Sequence, residues 1–396
     1  MAFLSAKVFE YRRAKMRELM TAHRLDALAF TSADFFQFAT NFHTDVQPWE
    51  RPIVAVMPLD GEPFAVMNEL STHHTMMAQE RGSMWMKDIT FYVEHPKLTN
   101  RMYSVTQWPE LVADTLREKG LTRGRIGLDA GHALMNRAAS LLPGLEMVPL
   151  TAPVRELRWE KHEEELDIMR KAAALSDWVQ DRYRENIRPG RLVQELDFAM
   201  AALIVEEGSR RFPGENLEVM RCWTLSGPAS ASPHGTGAPN GERIENGHVL
   251  VNIVIPRLNG VVIENERTWF CGKPSDQQIR LFQTAKAANE AAIEQVVTGN
   301  PVSGIDAAAQ SVIEQAGYAD HIKHRTGHGM GLLGHEFPED MAFNHRRLRA
   351  NEVYSAEPGI YVYGLGGFRF DDTVVVGDRP EVVTKAPKDL ASQTVG

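Results

Sequence analysis

Histidines and carboxylates gather in four short segments of the second half of the chain. They are Pro233-His234-Gly235, Glu264-Asn-Glu266-Arg-Thr, His324-Arg-Thr-Gly-His328-Gly-Met-Gly, and Glu357-Pro-Gly followed by Arg369-Phe-Asp371-Asp372. A carboxylate can attack an electrophilic carbon or take a proton from water. An imidazole, with an unperturbed pKa of about 6.5, gives and takes protons near neutrality. A pocket lined by both suits a planar cation. A protonated guanidine or amidine offers parallel N–H donors that carboxylates can pair bidentately, and it carries an electrophilic carbon.

These groups need a scaffold, and the hydrophobic pattern supplies one. Val8, Tyr11, Met16, Leu19 and Met20 recur at helical spacing between about 7 and 24. Asp26-Ala-Leu-Ala-Phe-Thr reads as a buried strand. Two further strands, Pro52–Pro58 and Pro63–Met67, flank the turn Asp60-Gly61. A short strand at Ile126–Asp129 and helices around 108–119 and 132–141 complete an α/β layer domain, expected over 1–155. Near 150–160 a boundary is expected. There Glu160-Lys-His-Glu-Glu-Glu opens a long amphipathic helix with Leu166, Met169, Ala173 and Val179 toward a second core, expected over 156–396.

Composition narrows the function classes. A length of 396 residues suits two domains, and 43% hydrophobic with 24% charged residues is ordinary for a soluble globular chain. A net charge of -9 argues against nucleic acid as partner. No apolar run reaches the length of a membrane span, and the N-terminus lacks a signal-peptide core, so a cytoplasmic protein is expected. The two cysteines, Cys222 and Cys271, cannot build a disulfide framework.

The segment Asn252–Gly272 resembles the metal-ligand hairpin of the pita-bread hydrolases, the fold of methionine aminopeptidase, prolidase and creatinase. Metal-dependent members read roughly Asp-x-Gly-x(5)-Gly-Tyr-x-x-Asp-x-Thr-Arg-Thr there. With the three other blocks in family order, the chain is identified as a member. The resemblance implies a small creatinase-type α/β domain followed by a catalytic pita-bread domain, an α/β (α+β) fold overall. It also places five ligand positions at Asn252 (or Ile253), Glu264, His328, Glu357 and Asp371.

The departures from the pattern shape the expected function. A close metal pair needs bridging anionic oxygens, and an Asn amide is neutral. Glu for Asp at 264 and Asp for Glu at 371 each change reach by a methylene, where metal sites hold distances to about 0.2 Å. No metal and no cofactor are therefore expected, although one ion on His328, Glu357 and Asp371 is physically feasible. Glu266-Arg-Thr-Trp-Phe-Cys resembles creatinase, and the overall resemblance lies nearest to the ectoine hydrolases. It implies hydrolytic opening of the cyclic amidine of ectoine, a small zwitterionic substrate, to N-acetyl-2,4-diaminobutyrate. In that reading Glu266 attacks or activates water, His234 donates the proton, and His328 and His324 orient the substrate. Glu357 and Asp371 hold ring nitrogens, with Glu264 and Asn252 in support. Creatinase-like enzymes are homodimers, so Trp49 and Arg51 are expected to reach a partner's site, by stacking and by holding a substrate carboxylate. The alternatives are a creatinase-type hydrolase of a guanidino compound, a metal-dependent Xaa-Pro aminopeptidase, and a catalytically inert binding protein on the same scaffold.

Overall fold

The computed structural model describes residues 4–44, 46–94, 103–235, 237–338 and 340–395. Residues 1–3, where the reading of the N-terminus begins, lie outside them. No helix among the described residues is long and apolar enough to cross a membrane. The chain divides between Arg158 and Trp159 into two compact units.

The first unit runs α1 (Ala6–His23), β1 (Ala27–Phe30), α2 (Ala33–Thr40), β2 (Val54–Pro58), β3 (Phe64–Asn68), α3 (Thr72–Arg81), β4 (Asp88–Tyr92), α4 (Trp108–Glu118), β5 (Arg123–Leu128), α5 (Ala133–Ser140), β6 (Gly144–Pro149) and α6 (Thr151–Glu156). The strands form one mixed sheet in the order β4-β3-β2-β1-β5-β6. β1 to β3 are buried along their whole length, which is why they read as continuous apolar runs. Trp108, Leu111, Val112 and Leu116 of α4 pack on Ala27, Val54 and Val56. Asp129, just past β5, accepts from the backbone N–H groups of Thr31 (3.1 Å) and Ser32 (2.9 Å), tying the end of β1 to that of β5.

The second unit opens with α7 (Glu163–Asn186). His162 and Glu165 cap it reciprocally, and Glu163, Glu164 and Glu165 fill its first turn, where the helix dipole favours acids. Then follow α8 (Val193–Arg211), β7 (Leu217–Ser226), β8 (Val249–Leu258), β9 (Val261–Val262), β10 (Asn265–Cys271), α9 (Asp276–Glu294), α10 (Val302–Gln315), β11 (Val353–Ala356), β12 (Gly359–Val362), β13 (Gly366–Arg369) and β14 (Asp371–Val375). The main sheet has the order β11-β14-β10-β8-β7, with β9 pairing β8. Between β8 and β9 the chain reverses at Asn259-Gly260, both at positive φ (48° and 82°), as a type I′ hairpin requires.

Alternation along β8 sorts its residues. Leu250 and Val254 pack against Leu175, Val179 and Tyr183 of α7 and Leu196 and Met200 of α8. Val251, Ile253 and Ile255 join Leu225 and Val262 in a separate cluster on the other face. Asn252 therefore faces the helices: its Nδ2 donates to Thr224 Oγ1 at 3.3 Å. This corrects the expectation that Asn252 lines the substrate pocket. Side chains on a strand alternate with period two, and the position that faces the pocket is Ile253.

Behind the sheet, Asp197 of α8 accepts from Thr224 N–H (3.0 Å), Thr224 Oγ1 (2.6 Å) and Tyr183 OH (3.3 Å). Burial pushes its carboxyl up to about 7, against those hydrogen bonds. The folded chain thus keeps a proton that an unfolded aspartate releases at about pH 3.9. The resulting stability is complete below that pH and is lost as pH rises through 7, on the order of 4 kcal/mol in all. Asp197→Asn should flatten the fall in unfolding free energy between pH 4.5 and 7.5. Urea titrations of variant and parent that stay parallel over this range would reject the assignment.

Candidate active site

Register places the acids in rows. Glu266 on β10 lies opposite Ile253 on β8, which lies opposite Trp223 on β7. On its other side Glu266 pairs with Asp371 of β14. Residues directly opposite share a face, so Trp223, Ile253, Glu266 and Asp371 form one line across the sheet. Glu264, two residues before Glu266, projects to the same side. Arg267 and Asp372 alternate to the other face, where they meet at 2.8 Å with both side chains fully buried. Lys388 Nζ also reaches Asp372, at 2.7 Å.

His328 arrives on a segment that only glycine permits. A Cβ at Gly327 would stand 2.1 Å from the Ser355 carbonyl oxygen, and one at Gly329 would stand 2.2 Å from that of Phe337. This close approach sets His328 against β11: its N–H donates to Ser355 Oγ at 3.0 Å. The imidazole Nδ1 lies 3.0 Å from the Gly329 carbonyl and so acts as donor there. Nε2 then faces Glu357 Oε1 at 3.2 Å and Glu264 Oε2 at 3.6 Å. His335 stacks on His328 with ring centroids 3.8 Å apart.

A second chain of contacts holds Arg369. Its Nη2 donates to Glu266 Oε1 at 3.1 Å, and its Nη1 donates to Tyr361 OH at 3.2 Å and to the Pro233 carbonyl at 3.0 Å. His324 Nδ1 donates to the Arg325 carbonyl at 2.7 Å, leaving Nε2 to accept from Tyr361 OH at 2.7 Å. His324 thus fixes Tyr361, which fixes Arg369. It is not among the residues lining the cavity, which corrects its assignment as a substrate contact.

The cavity has a volume of about 290 Å³ and is lined by Glu264, Glu266, Glu357, His234, His335 and Arg369, and at the β7 side by Arg221, Trp223, Ile253 and Ile255. Burial raises the Glu264 carboxyl, against the attraction of His328. Burial also raises Glu266, to about 7, with Glu357 and Glu264 adding to the effect and Arg369 opposing it. Asp371 is raised by burial and by the charges of Glu357, Glu264 and Glu266. Burial works against the charged forms of Glu357 and His328, yet their mutual hydrogen bond wins: Glu357 is held below the usual carboxylate range and His328 rises to about 9. His335, partly desolvated beside that cation, is pushed down to about 4. So many acids around so little compensating charge make a cation welcome.

A metal pair, which the family resemblance implies, does not match the donors present. Ile253 offers no donor, so the position that would complete a second ion is hydrocarbon. The remaining donors fall into two overlapping groups that share Glu264. Oxygens of Glu264, Glu357 and Asp371 all lie within 4.8 Å of one another, and Glu264, His328 and His335 form a second such group. Both oxygens of Asp371 are buried without a hydrogen-bond partner. His328 has its Nδ1 anchored on a carbonyl and its Nε2 turned to the acids, the arrangement metal-binding histidines take. One divalent cation fits Glu264, Glu357 and Asp371, with His328 Nε2 turned toward the first two of these acids; a pair does not.

The sequence-predicted residues Glu264, Glu266, His234, His328, Glu357 and Asp371 all belong to this second unit, and the buried Glu264, Glu266, His328 and Asp371 gather with the partly buried Glu357. His234 lies at the exposed rim, next to the Pro233 carbonyl that Arg369 holds. Trp49 and Arg51 belong to the first unit. There Trp49 is 82% exposed, and Arg51 is paired with Glu94 (2.7 Å) and Glu50 (3.0 Å). Sequence reasoning missed Arg221, Trp223, Tyr361 and the stacked His335. The two-residue spacing of Arg221 and Trp223 on a strand was the available signal.

Comparison with known proteins agrees with this architecture. Residues 167–378 match Metallopeptidase family M24, and residues 12–159 match the Creatinase/Prolidase N-terminal domain. The chain is 35% identical over 272 residues to the probable dipeptidase PepE of Mycobacterium tuberculosis (strain ATCC 25618 / H37Rv), covering 66% of this chain and 70% of that one. It is 27% identical over 376 residues to the putative dipeptidase YkvY of Bacillus subtilis (strain 168), covering 94% and 96%. Among solved structures, dipeptidase PepE from Mycobacterium ulcerans superposes with a TM-score of 0.81 at 27% identity, over 99% of both chains. The chain belongs to metallopeptidase family M24, with a creatinase/prolidase-type N-terminal domain.

Proposed function

We propose that this M24 hydrolase cleaves the C–N bond of a small peptide-like substrate, with one divalent cation held by Glu264, His328, Glu357 and Asp371. The observation that carries the reading is the convergence of Glu264 and Glu357 on the carboxylate of Asp371, with His328 Nε2 facing the first two. The dipeptidase names of its relatives support it over the opening of a cyclic amidine such as ectoine. When bound, such an ion would polarise a carbonyl and acidify a water.

The chain's own residues supply the rest. Glu266 faces the cavity outside the donor set, so it is the carboxylate free to take the proton of an attacking water. Arg369 keeps Glu266 oriented. His234, at the rim, returns a proton to the departing amine. A homodimer in which Trp49 and Arg51 reach a second copy's cavity belongs to the same proposal, and Arg51 would first have to leave Glu94.

Metal analysis and turnover test the reading together. Purified protein should retain about one equivalent of a divalent transition metal per chain, and Asp371→Asn should lower this at least tenfold in affinity. Chelation should abolish dipeptide hydrolysis, and re-addition of Mn²⁺ or Zn²⁺ should restore it. Turnover of ectoine or creatine by chelated protein, with dipeptides untouched, would overturn the proposal in favour of metal-independent amidine or guanidine hydrolysis.

A further inference from the structure

Arg221 is the cavity residue that the reaction above leaves without a task. It sits on β7 opposite Ile255, with Trp223 opposite Ile253, so both project to the cavity face. The guanidinium carbon lies 4.7 Å from the centroid of the Trp223 ring. That stacking orients the planar group and leaves its N–H fork unspent. Among the described residues no hydrogen bond or ion pair holds it, and only its longer-range attraction for Glu264 is felt, whereas Arg369, at the opposite side of the same cavity, is fully committed to Glu266, Tyr361 and Pro233.

The cavity is therefore polarised across the sheet. β7 contributes a cation on an aromatic face, β8 contributes the aliphatic floor of Ile253 and Ile255, and β10 with the residue before it contributes Glu266 and Glu264. Neighbouring strands lie about 4.8 Å apart, so the two charged edges are separated by about 10 Å at the backbone. A span of that size suits one or two extended residues at about 3.5 Å each.

We propose that Arg221, carried on Trp223, anchors the carboxylate of a small zwitterionic substrate and so fixes which end meets the acid cluster. The proposal rests on the hydrolase reading for the position of the scissile bond, but not for the ion pair itself. A carboxylate placed at the opposite edge would face Glu264, Glu266 and Glu357, so the same charges that attract one orientation repel the other. Ile253 takes part as well: a shorter polar residue there would break the aliphatic span between the two edges.

The test compares dipeptides as free acids and as C-terminal amides. The parent protein should prefer the acid by about 30-fold or more in kcat/KM. Arg221→Met should bring that preference to near unity, and Arg221→Lys should retain part of it. Equal turnover of acid and amide by the parent, or an equal loss for both in Arg221→Met, would overturn the proposal. If no dipeptide is cleaved, the hydrolase reading has failed separately. Calorimetric binding of the same acid and amide pairs then decides: acid-selective binding lost in Arg221→Met upholds the anchor, and equal affinities reject it. Because Arg221 is exposed, its loss should leave the thermal midpoint close to that of the parent.

Discussion

Glu266→Gln is expected to lower kcat/KM by about 10³-fold, the middle of the range for removing a general base. The amide keeps an oxygen for Arg369 to meet, so the cavity should hold its shape, but it cannot accept a proton. Two readings accompany the rate. Metal content should match that of the parent, because Glu266 stands outside the converging donors Glu264, Glu357 and Asp371. The folded state should survive at assay temperature, because Arg369 keeps Tyr361 and the Pro233 carbonyl. A Gln variant with more than a tenth of parental activity would remove Glu266 from the chemistry and shift the role of base to another cavity carboxylate.

The largest stability effect is expected on the opposite face of the same strand. Arg267 and Asp372 are both fully buried and meet at 2.8 Å. Arg267 also donates to the carbonyls of Ala386 (3.0 Å), Asp371 (2.9 Å) and Glu266 (2.8 Å). It thereby ties β10, β14 and the C-terminal segment together. Arg267→Met should cost about 3–5 kcal/mol, since it strips partners from several buried acceptors at once. Denaturant unfolding measures this directly, and a loss under about 1 kcal/mol would show the network to be dispensable. Asp372 keeps Lys388 (2.7 Å) and Thr384 (2.8 Å) in that variant, so the loss should stay at the lower end of the range.

Much of this site could be read from sequence because its chemistry sits in short contiguous blocks. His328 is flanked by Gly327 and Gly329, whose close backbone approaches permit no side chain, so the chemistry is marked by a glycine pattern within a few residues. Glu357 precedes a proline that ends its strand, and Glu264 and Glu266 share a face through simple alternation. The ambiguity between Asn252 and Ile253 had a physical origin. Both are buried, and only the pairing of β8 with its neighbours decides which of two adjacent side chains enters the cavity. His324 was misassigned for a related reason, since a histidine in a conserved-looking block can serve a tyrosine behind the wall as readily as a substrate in front of it. Arg221 and Trp223 lie outside the family's blocks; their two-residue spacing shows a shared strand face, but only the tertiary neighbours show that this face is the cavity. In the first unit, α4 follows its apolar periodicity because one face of it covers the sheet, whereas α1 buries Arg12 with Val8, Met16 and Met20 and leaves Tyr11 and Leu19 half-buried.

The Asn259-Gly260 reversal carries a consequence for catalysis although neither residue lines the cavity. Glu264 and Glu266 are useful only because the strand leaving that turn is read in one of two possible frames. Displaced by a single residue, the same strand would present Asn265 and Arg267 to the substrate and send both glutamates into the helices. Two left-handed residues in succession admit only one such frame at this loop length. The turn is therefore the device that makes a sequence of alternating charge into an acid wall, and its integrity should be judged by turnover as much as by stability.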